Sequence, residues 1–365
     1  MYDAIIVGAR CAGSPTAMLL AQKGRRVLLV DRDTFPSDTH STAWLRPDAQ
    51  ERLQRWGLRQ RLVDAGTPEV MGTLMYALGM AMPTPAGPLP GMAPRRTVLD
   101  TMLVAAAREA GAEVREAFSI QEVLRDATGA VTGVRGQASD GTAVVEEARI
   151  VIGADGRNSF IARQVGAKEY AAEEPTACGF YAIYSGVEAD TAIIGLDGSH
   201  FSFYFPTNDG SAYIGAECPI ANWDEVKADP EAYLAKTFAA HAPEIGRRMA
   251  AGKREGKMLG MQGRRSFFRK PYGPGWALVG DAGYLKDPVL GTGVDDAFRD
   301  ADYLAEALEA GFSGSAPLEE ALASYHARRD AAVKDLYPVI CEIAKMEPMT
   351  PERLGMFAMA QAVPA

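Results

Sequence analysis

The chain begins with two apolar runs separated by a glycine-containing turn. Residues 4–7 are continuously apolar and enter GARCAG; a second run reaches Val30 and ends at Asp31. Runs of this kind, apolar without alternation, predict strands buried on both faces. They occupy 2–7 and 26–31 and flank a helix over roughly 13–24, in which Gly13, Ser14 and Ala17 permit close packing and Lys23-Gly24 supplies a stop. Strand, turn, helix, strand is the βαβ unit of a parallel sheet.

The pattern then changes character. Residues 47–56 read as a helix with Pro47 in its first turn, and PTPAGPLPGMAP, residues 83–94, as a connection that leaves the sheet. A helix with apolar positions at helical spacing covers 97–111, followed by short alternating strands over 118–150. Residues 178–218 are strand-like and aromatic, with Asn208-Asp209-Gly210 marking a hairpin. Alternation assigns Phe201, Phe203 and Phe205 to one face, and Ser202, Tyr204 and Pro206 to the other. From 274 an α/β pattern returns with GPGWALVGDAG and the long helix of GVDDAFRDADYLAEALEAG; the last fifty residues are helical. This order predicts a discontinuous dinucleotide domain over 1–73, 95–165 and 270–310. A substrate-facing sheet domain of 74–94 and 166–269 interrupts it, and C-terminal helices cover 311–365.

Composition narrows the classes. The 365 residues, 47% hydrophobic and 23% charged, suffice for two or three packed units. A net charge of −9 spread along the chain excludes nucleic acid as a main partner. Cys11, Cys178, Cys218 and Cys341 are far apart and form no C-x-x-C pair, so neither a disulfide framework nor a zinc site is expected. His40, His200, His241 and His326 lack metal spacing. With no targeting peptide and no span of about 18 apolar residues, a soluble, cytoplasmic protein without a transmembrane segment is expected.

Three glycine turns carry the candidate chemistry. In GARCAG, Gly8 and Gly13 take the tight-turn and close-packing roles of a dinucleotide loop, while Arg10 stands where backbone usually approaches the diphosphate. Asp31 is spaced to accept from a ribose hydroxyl. That loop alone does not separate NAD from FAD. The second turn is VIGADGRNS, residues 151–159, and the third is LVGDAGYLKDPVLGTGVDDAFRDA, residues 278–301. Asp281 can accept from a ribityl hydroxyl, which FAD has and NAD lacks, and a helix starting near Val294 aims its positive end at the same place.

GARCAG, GADG and GDAG-(x)-P-(x)-G-T-G together resemble the FAD-dependent monooxygenases of the p-hydroxybenzoate hydroxylase type (group A) and the related geranylgeranyl reductase-like oxidoreductases, over about residues 2–60, 94–165 and 270–308. The resemblance implies an α/β fold: a Rossmann-like FAD-binding domain of glutathione reductase type, interrupted by an antiparallel substrate sheet. It places Gly8, Arg10, Cys11, Ala12 and Gly13 at the pyrophosphate of a non-covalent FAD, and Asp31 with Arg32 at the adenosine ribose. Arg96, with Arg95 as alternative, reaches the cofactor from its helix, and Arg46 sits near the flavin. Asp281 meets the ribityl region, and Pro288, Gly291, Gly293 and Val294 line the isoalloxazine.

The implied activity is monooxygenation of an organic substrate, aromatic or a polyketide-like secondary metabolite, through a flavin hydroperoxide. Electrons come from NAD(P)H or from a reduced-flavin donor served by a separate flavin reductase. Two alternatives stand beside it: an FAD-dependent reductase of carbon–carbon double bonds, and a non-catalytic dinucleotide-binding protein. Many hydroxylases read G-D-A-A-H where this chain has Gly283-Tyr284, which tilts toward the reductase branch. None of Trp44, Trp56, Trp223 or Trp276 lies in the halogenases' W-x-W-x-I-P element, so halogenation is not expected. Tyr181, Phe203 and Phe205 are the candidate substrate wall, with ordinary sheet packing as the alternative; no catalytic acid or base is assigned. The Arg10 guanidinium is expected to add a charge-assisted contact to the diphosphate or the route to the pocket.

Overall fold

The computed structural model describes residues 1–85, 89–196 and 198–362. The two apolar runs form adjacent parallel strands, Tyr2–Val7 and Val27–Val30, in register from Ala4 opposite Val27 to Val7 opposite Val30. The crossover helix is Gly13–Gln22, and the chain leaves it through Gly24 at φ +75°. Ala143–Gly153 and Trp276–Leu278 extend the sheet on one side and Glu113–Arg115 on the other, all parallel. Register brings Val7, Gly153 and Leu278 level with one another. Three turns more than a hundred residues apart in sequence therefore open from the same edge of one sheet, at the carboxyl ends of its strands. In open α/β sheets that is where ligands bind.

The second sheet has seven strands. Its order is Lys253–Met261, Ala177–Ser185, Ser211–Pro219, Phe201–Thr207, Ala192–Gly195, Gly72–Ala77 and Met80–Pro85. The hairpin at 208–210 forms with Asp209 and Gly210 both at positive φ, the conformation that matches strand twist in a tight hairpin. The alternation expected for 201–205 holds. Phe201, Phe203 and Phe205 pack with Tyr181, Tyr213, Val289 and Leu290 on one face. Tyr204 packs with Tyr184, Ile214, Leu234 and Phe238 on the other, beneath the helices Pro230–His241 and Pro243–Ala251. A three-stranded sheet of Tyr284–Leu285, Ser266–Arg269 and Glu169–Glu173 lies beside it. The methionine-rich C-terminus forms the helix Pro351–Ala362, whose Phe357 is buried in the aromatic face's core.

One expectation is corrected. The proline-rich connection does not leave the sheet at Pro83: Pro83 and Pro85 lie in the edge strand, opposite Leu74 and Gly72. An edge strand has a neighbour on one side only, so a proline's missing N–H is tolerated on the other. Residues 86–88 of that connection lie outside the described residues; Gly91 and Met92 then bridge to Val70 and Leu45. No described helix is long and apolar enough to cross a membrane.

Candidate cofactor and substrate cleft

The first turn owes its shape to two glycines. A Cβ on Gly8, at φ +107°, would lie 2.4 Å from the Ala154 carbonyl oxygen; one on Gly13 would lie 1.8 Å from the Gly8 carbonyl oxygen. Both sites exclude any side chain, so helix start, turn and second motif are in backbone contact. Asp31, buried at the end of its strand, accepts from the Ala9 N–H at 2.6 Å and from the Asp33 N–H at 2.9 Å, one bond to each oxygen. Each oxygen keeps a further lone pair for a ribose hydroxyl. Burial pushes this carboxyl's pKa upward against those two bonds. Arg32 is exposed beside it.

Arg10 is placed differently from the expectation. Its Nη1 donates to Asp100 at 2.6 Å, and its Nη2 donates to Asp33 at 2.9 Å and to the Ser37 hydroxyl at 3.0 Å. Asp100 is fully buried on the helix Arg96–Glu109 and also accepts from Arg96 Nε at 3.1 Å and Nη2 at 2.9 Å. Cys11 completes the group with its thiol 3.5 Å from Asp100, and burial pushes that thiol up to about 12. The guanidinium is a strut from the turn to the 31–38 segment and the next crossover helix. It can tolerate position 10 because its charge is spent on protein carboxylates. Arg95 pairs instead with Glu255 at 2.7 Å.

The third motif meets the first directly. Gly280, at φ +61°, approaches Ala12 so closely that a Cβ there would lie 2.8 Å from the Ala12 methyl. The next residue, Asp281, is half-buried, and its carboxylate has no hydrogen-bond partner among the described residues. Burial pushes its pKa up, and Arg264, Arg96 and Arg157 pull it down. A short 3-10 turn, Pro288–Leu290, is capped by Asp287 and closed by Gly291 at φ +65°. The helix Gly293–Ser313 then starts with Val294 buried. Asp295 in its first turn accepts from the Ala49 N–H at 3.0 Å and so fixes the helix Pro47–Arg55, which the buried Arg46 precedes. Burial raises Asp295 to about 7, with Arg46 opposing. Tyr284, where many hydroxylases carry histidine, is buried with its hydroxyl held by Arg299 at 2.5 Å, in a cluster with Asp296 and Asp300.

Facing these turns is the aromatic side of the seven-stranded sheet. Tyr181, Phe203 and Phe205 are all buried there. Trp44, which lies outside any W-x-W-x-I-P element, stacks on Phe205 at 4.5 Å and lies 3.6 Å from the Cβ position of Gly291. It therefore joins the glycine loop to the aromatic wall. His40 lies 5.0 Å from the Tyr181 ring, and burial, with Arg264 and Arg157 behind it, lowers its pKa to about 4. It is neutral at physiological pH.

Two further residues were missed altogether. Glu217 is 7% exposed and its Oε2 is buried without a hydrogen-bond partner. Burial, with Asp287 nearby, pushes this carboxyl well above the usual range, against the pull of Arg264. Arg264 has its Nε buried without a partner, and among the described residues neither it nor Arg157 forms an ion pair. The hydroxyls of Tyr181 and Tyr213 are likewise buried and have no side-chain partner among the described residues, with the backbone of Ser41 and Arg96 beside them. A sequence signal for Glu217 exists: on 211–219 it occupies the same face as Tyr213, an apolar and aromatic one where an acid is out of place.

The comparisons with known proteins agree with this geometry. A family model described as "FAD binding domain" matches residues 1–338. A 1H-pyrrole-2-carbonyl-[peptidyl-carrier protein] brominase of Pseudoalteromonas luteoviolacea is 26% identical over 328 residues, 86% of this chain and 79% of that protein. The rifampicin monooxygenase of Streptomyces venezuelae is 24% identical over 94% of this chain and 70% of its own length. Digeranylgeranylglycerophospholipid reductase 2 of Methanopyrus kandleri is 29% identical over 80% and 73%. Among solved structures, pqsL, described as a probable FAD-dependent monooxygenase from Pseudomonas aeruginosa, superposes with a TM-score of 0.82 at 20% identity, covering 98% of this chain and 99% of that one. A brominase is thus among the relatives of this chain, although the chain carries no W-x-W-x-I-P element.

Proposed function

Since the chain belongs to the FAD-binding domain family, we propose that it is an FAD-dependent monooxygenase acting on an aromatic or polyketide-like substrate held between the three glycine turns and the aromatic sheet face. The observation that carries this reading is that Asp281, without a hydrogen bond among the described residues, follows a glycine packed on Ala12 of the first turn, while Val289 and Leu290 of the same motif pack against the aromatic rings of the sheet. The parallel sheet with its inserted antiparallel one supports the glutathione-reductase type of FAD domain.

The residues fit FAD. Gly8 and Gly13 permit the tight turn that would carry the diphosphate, Asp31 offers acceptors to the ribose, and Asp281 offers an acceptor with no competing hydrogen bond among the described residues. Gly293 and Val294, at the start of a 21-residue helix behind the Gly291 turn, would offer N–H groups and positive potential to the flavin. Arg46 and Trp44 border the same loop. Bound FAD would supply the redox and oxygen chemistry. The chain's own residues bind and enclose. Phe203, Phe205 and Trp44 exclude water, and Tyr181 and Tyr213 present hydroxyls that a substrate's polar groups can satisfy. Glu217 is an acid whose burial favours its protonated, hydrogen-bond-donating form, and Arg264 forms no ion pair among the described residues.

The likeness to the reductase of Methanopyrus kandleri keeps double-bond reduction as the second reading, and the brominase brings halide oxidation into the test. In place of the histidine, Tyr284 binds Arg299, and the missing histidine remains a feature that favours this second reading. The bound flavin is photoreduced without oxygen and mixed rapidly with O₂, with and without bromide. Reoxidation through a spectrally distinct transient supports oxygen activation, and bromide-dependent loss of that transient selects halogenation. Single-phase reoxidation, unaltered by bromide, supports the reductase. NAD(P)H and an added flavin reductase, supplied in turn, identify the electron source.

A further inference from the structure

The four cysteines are scattered in sequence, yet the fold pairs two of them. Cys178 and Cys218 lie directly opposite each other on the antiparallel strands Ala177–Ser185 and Ser211–Pro219, with their sulfurs 3.6 Å apart. Both are buried on the sheet face turned away from the cleft, among Phe180, Val226 and Tyr233 and beside Trp223. From there a polar chain leads outward: the Tyr233 hydroxyl lies 3.0 Å from His200 Nε2 and accepts from Asn222 Nδ2 at 3.3 Å, and the His200 ring stacks on His241 at 5.3 Å. A dithiol next to a tyrosine–histidine relay is more than an apolar core needs, since small hydrophobic residues would pack there as well.

We propose that Cys178 and Cys218 form a reversible redox pair that closes to a cross-strand disulfide when the protein meets hydrogen peroxide. The roles of the two sulfurs differ. The Cys178 S–H bond lowers the Cys218 thiol against the upward pull of burial, and the Tyr233 hydroxyl lowers it further. The Cys178 thiol is raised, mainly by that same hydrogen bond. Cys218, with the Tyr233 hydroxyl beside it to stabilise its thiolate, is the attacking sulfur, and its proton is handed to the peroxide oxygen that leaves. The thiolate sulfur attacks one oxygen of peroxide, the O–O bond breaks, and the hydroxide released takes up that proton to leave as water, giving Cys218 sulfenic acid. The Cys178 sulfur then attacks the Cys218 sulfur. The S–O bond breaks, a second water leaves with the Cys178 proton, and two thiols have lost two electrons to one peroxide. The sulfurs must close from 3.6 Å to about 2.05 Å, which side-chain rotation on paired strands can supply.

The bridge would tie together the strands whose other faces carry Tyr181, Tyr213 and Glu217. The test uses the purified full-length protein with whatever flavin it retains: brief treatment with millimolar hydrogen peroxide, quenching with catalase, then thiol counting in denaturant and non-reducing peptide mapping. The expected result is a fall from four thiols to two, a mass lower by two hydrogens and a single linked peptide pair, Cys178 with Cys218, restored by dithiothreitol. C178S is expected to leave a dimedone-reactive sulfenic acid at Cys218, and C218S to leave Cys178 unmodified. Four thiols surviving in the wild type would overturn the proposal. So would a linkage involving Cys11 or Cys341, or dimedone labelling of Cys178 in C218S. None of these outcomes depends on the substrate, so the monooxygenase reading stands or falls separately.

Discussion

At the scale of single residues, Asp281 and Arg10 exchange importance. Asp281 has no hydrogen bond among the described residues, so D281A breaks none of these while taking away an acceptor for the cofactor. A charge-assisted bond contributes about 1.5–3 kcal/mol, so FAD affinity should drop at least tenfold with the melting temperature of the flavin-free protein unchanged. Titration of FAD against flavin-free protein measures this, and equal affinity would remove Asp281 from the site. Arg10 behaves conversely. R10Q breaks the strut to Asp33 and Asp100, and with Arg96 still holding Asp100 the loss should be about 1–2 kcal/mol of stability. FAD affinity in urea-free buffer should change less than tenfold. A larger loss of affinity than of stability would mean that the side chain touches the cofactor after all.

Asp295 gives a pH prediction with a definite sign. In the folded chain it holds its proton up to about pH 7, whereas an unfolded aspartate releases it near 3.9. Between those values the folded state binds more protons, so stability present at low pH is withdrawn as pH rises through 7. D295N keeps an acceptor for the Ala49 N–H and cannot ionise. It should match the wild type near pH 4 and exceed it by a few kcal/mol near pH 8, as an order of magnitude. Urea unfolding of flavin-free protein at both pH values measures it; a difference independent of pH would contradict the cause assigned here.

At the scale of elements, what could be read in advance was whatever the local pattern fully determines. The buried strands, the crossover helix Gly13–Gln22, the hairpin at 208–210 and the inward row Phe201, Phe203 and Phe205 follow from period and turn chemistry. The third turn was legible because its glycines and Asp281 sit together. Arg10, Trp44, Glu217 and Arg264 were not, because each is defined by partners far away: Asp100, Phe205, Asp287 and the cleft itself. The approach of Cys178 to Cys218 was hidden for the same reason, since it depends on strand register rather than spacing. Pro83 misled because a proline reads as a sheet exit when no neighbour is known. The element most sensitive to change is the first helix. G13A would drive a methyl to 1.8 Å from the Gly8 carbonyl oxygen, so the variant should either fail to accumulate as folded protein or fold with the turn displaced and no flavin bound. Normal flavin content in purified G13A would show that this close approach is not needed.

At the scale of the whole molecule, the architecture converts distance along the chain into proximity. Parallel register gathers residues 8, 153 and 280 at one sheet edge, and the inserted sheet returns its aromatic face across that edge, sealed by Trp44. An enzyme that must hold a flavin and a hydrophobic substrate in one water-poor space is built this way. FAD must occupy that space, and one measurement decides whether it does. The protein is purified without added flavin, desalted and denatured with acid, and the supernatant is assayed by chromatography against FAD, FMN and NAD standards. The account predicts FAD, approaching one molecule per chain and taken up to that level on reconstitution. A colourless protein that releases no flavin and takes up none when FAD is supplied would contradict it.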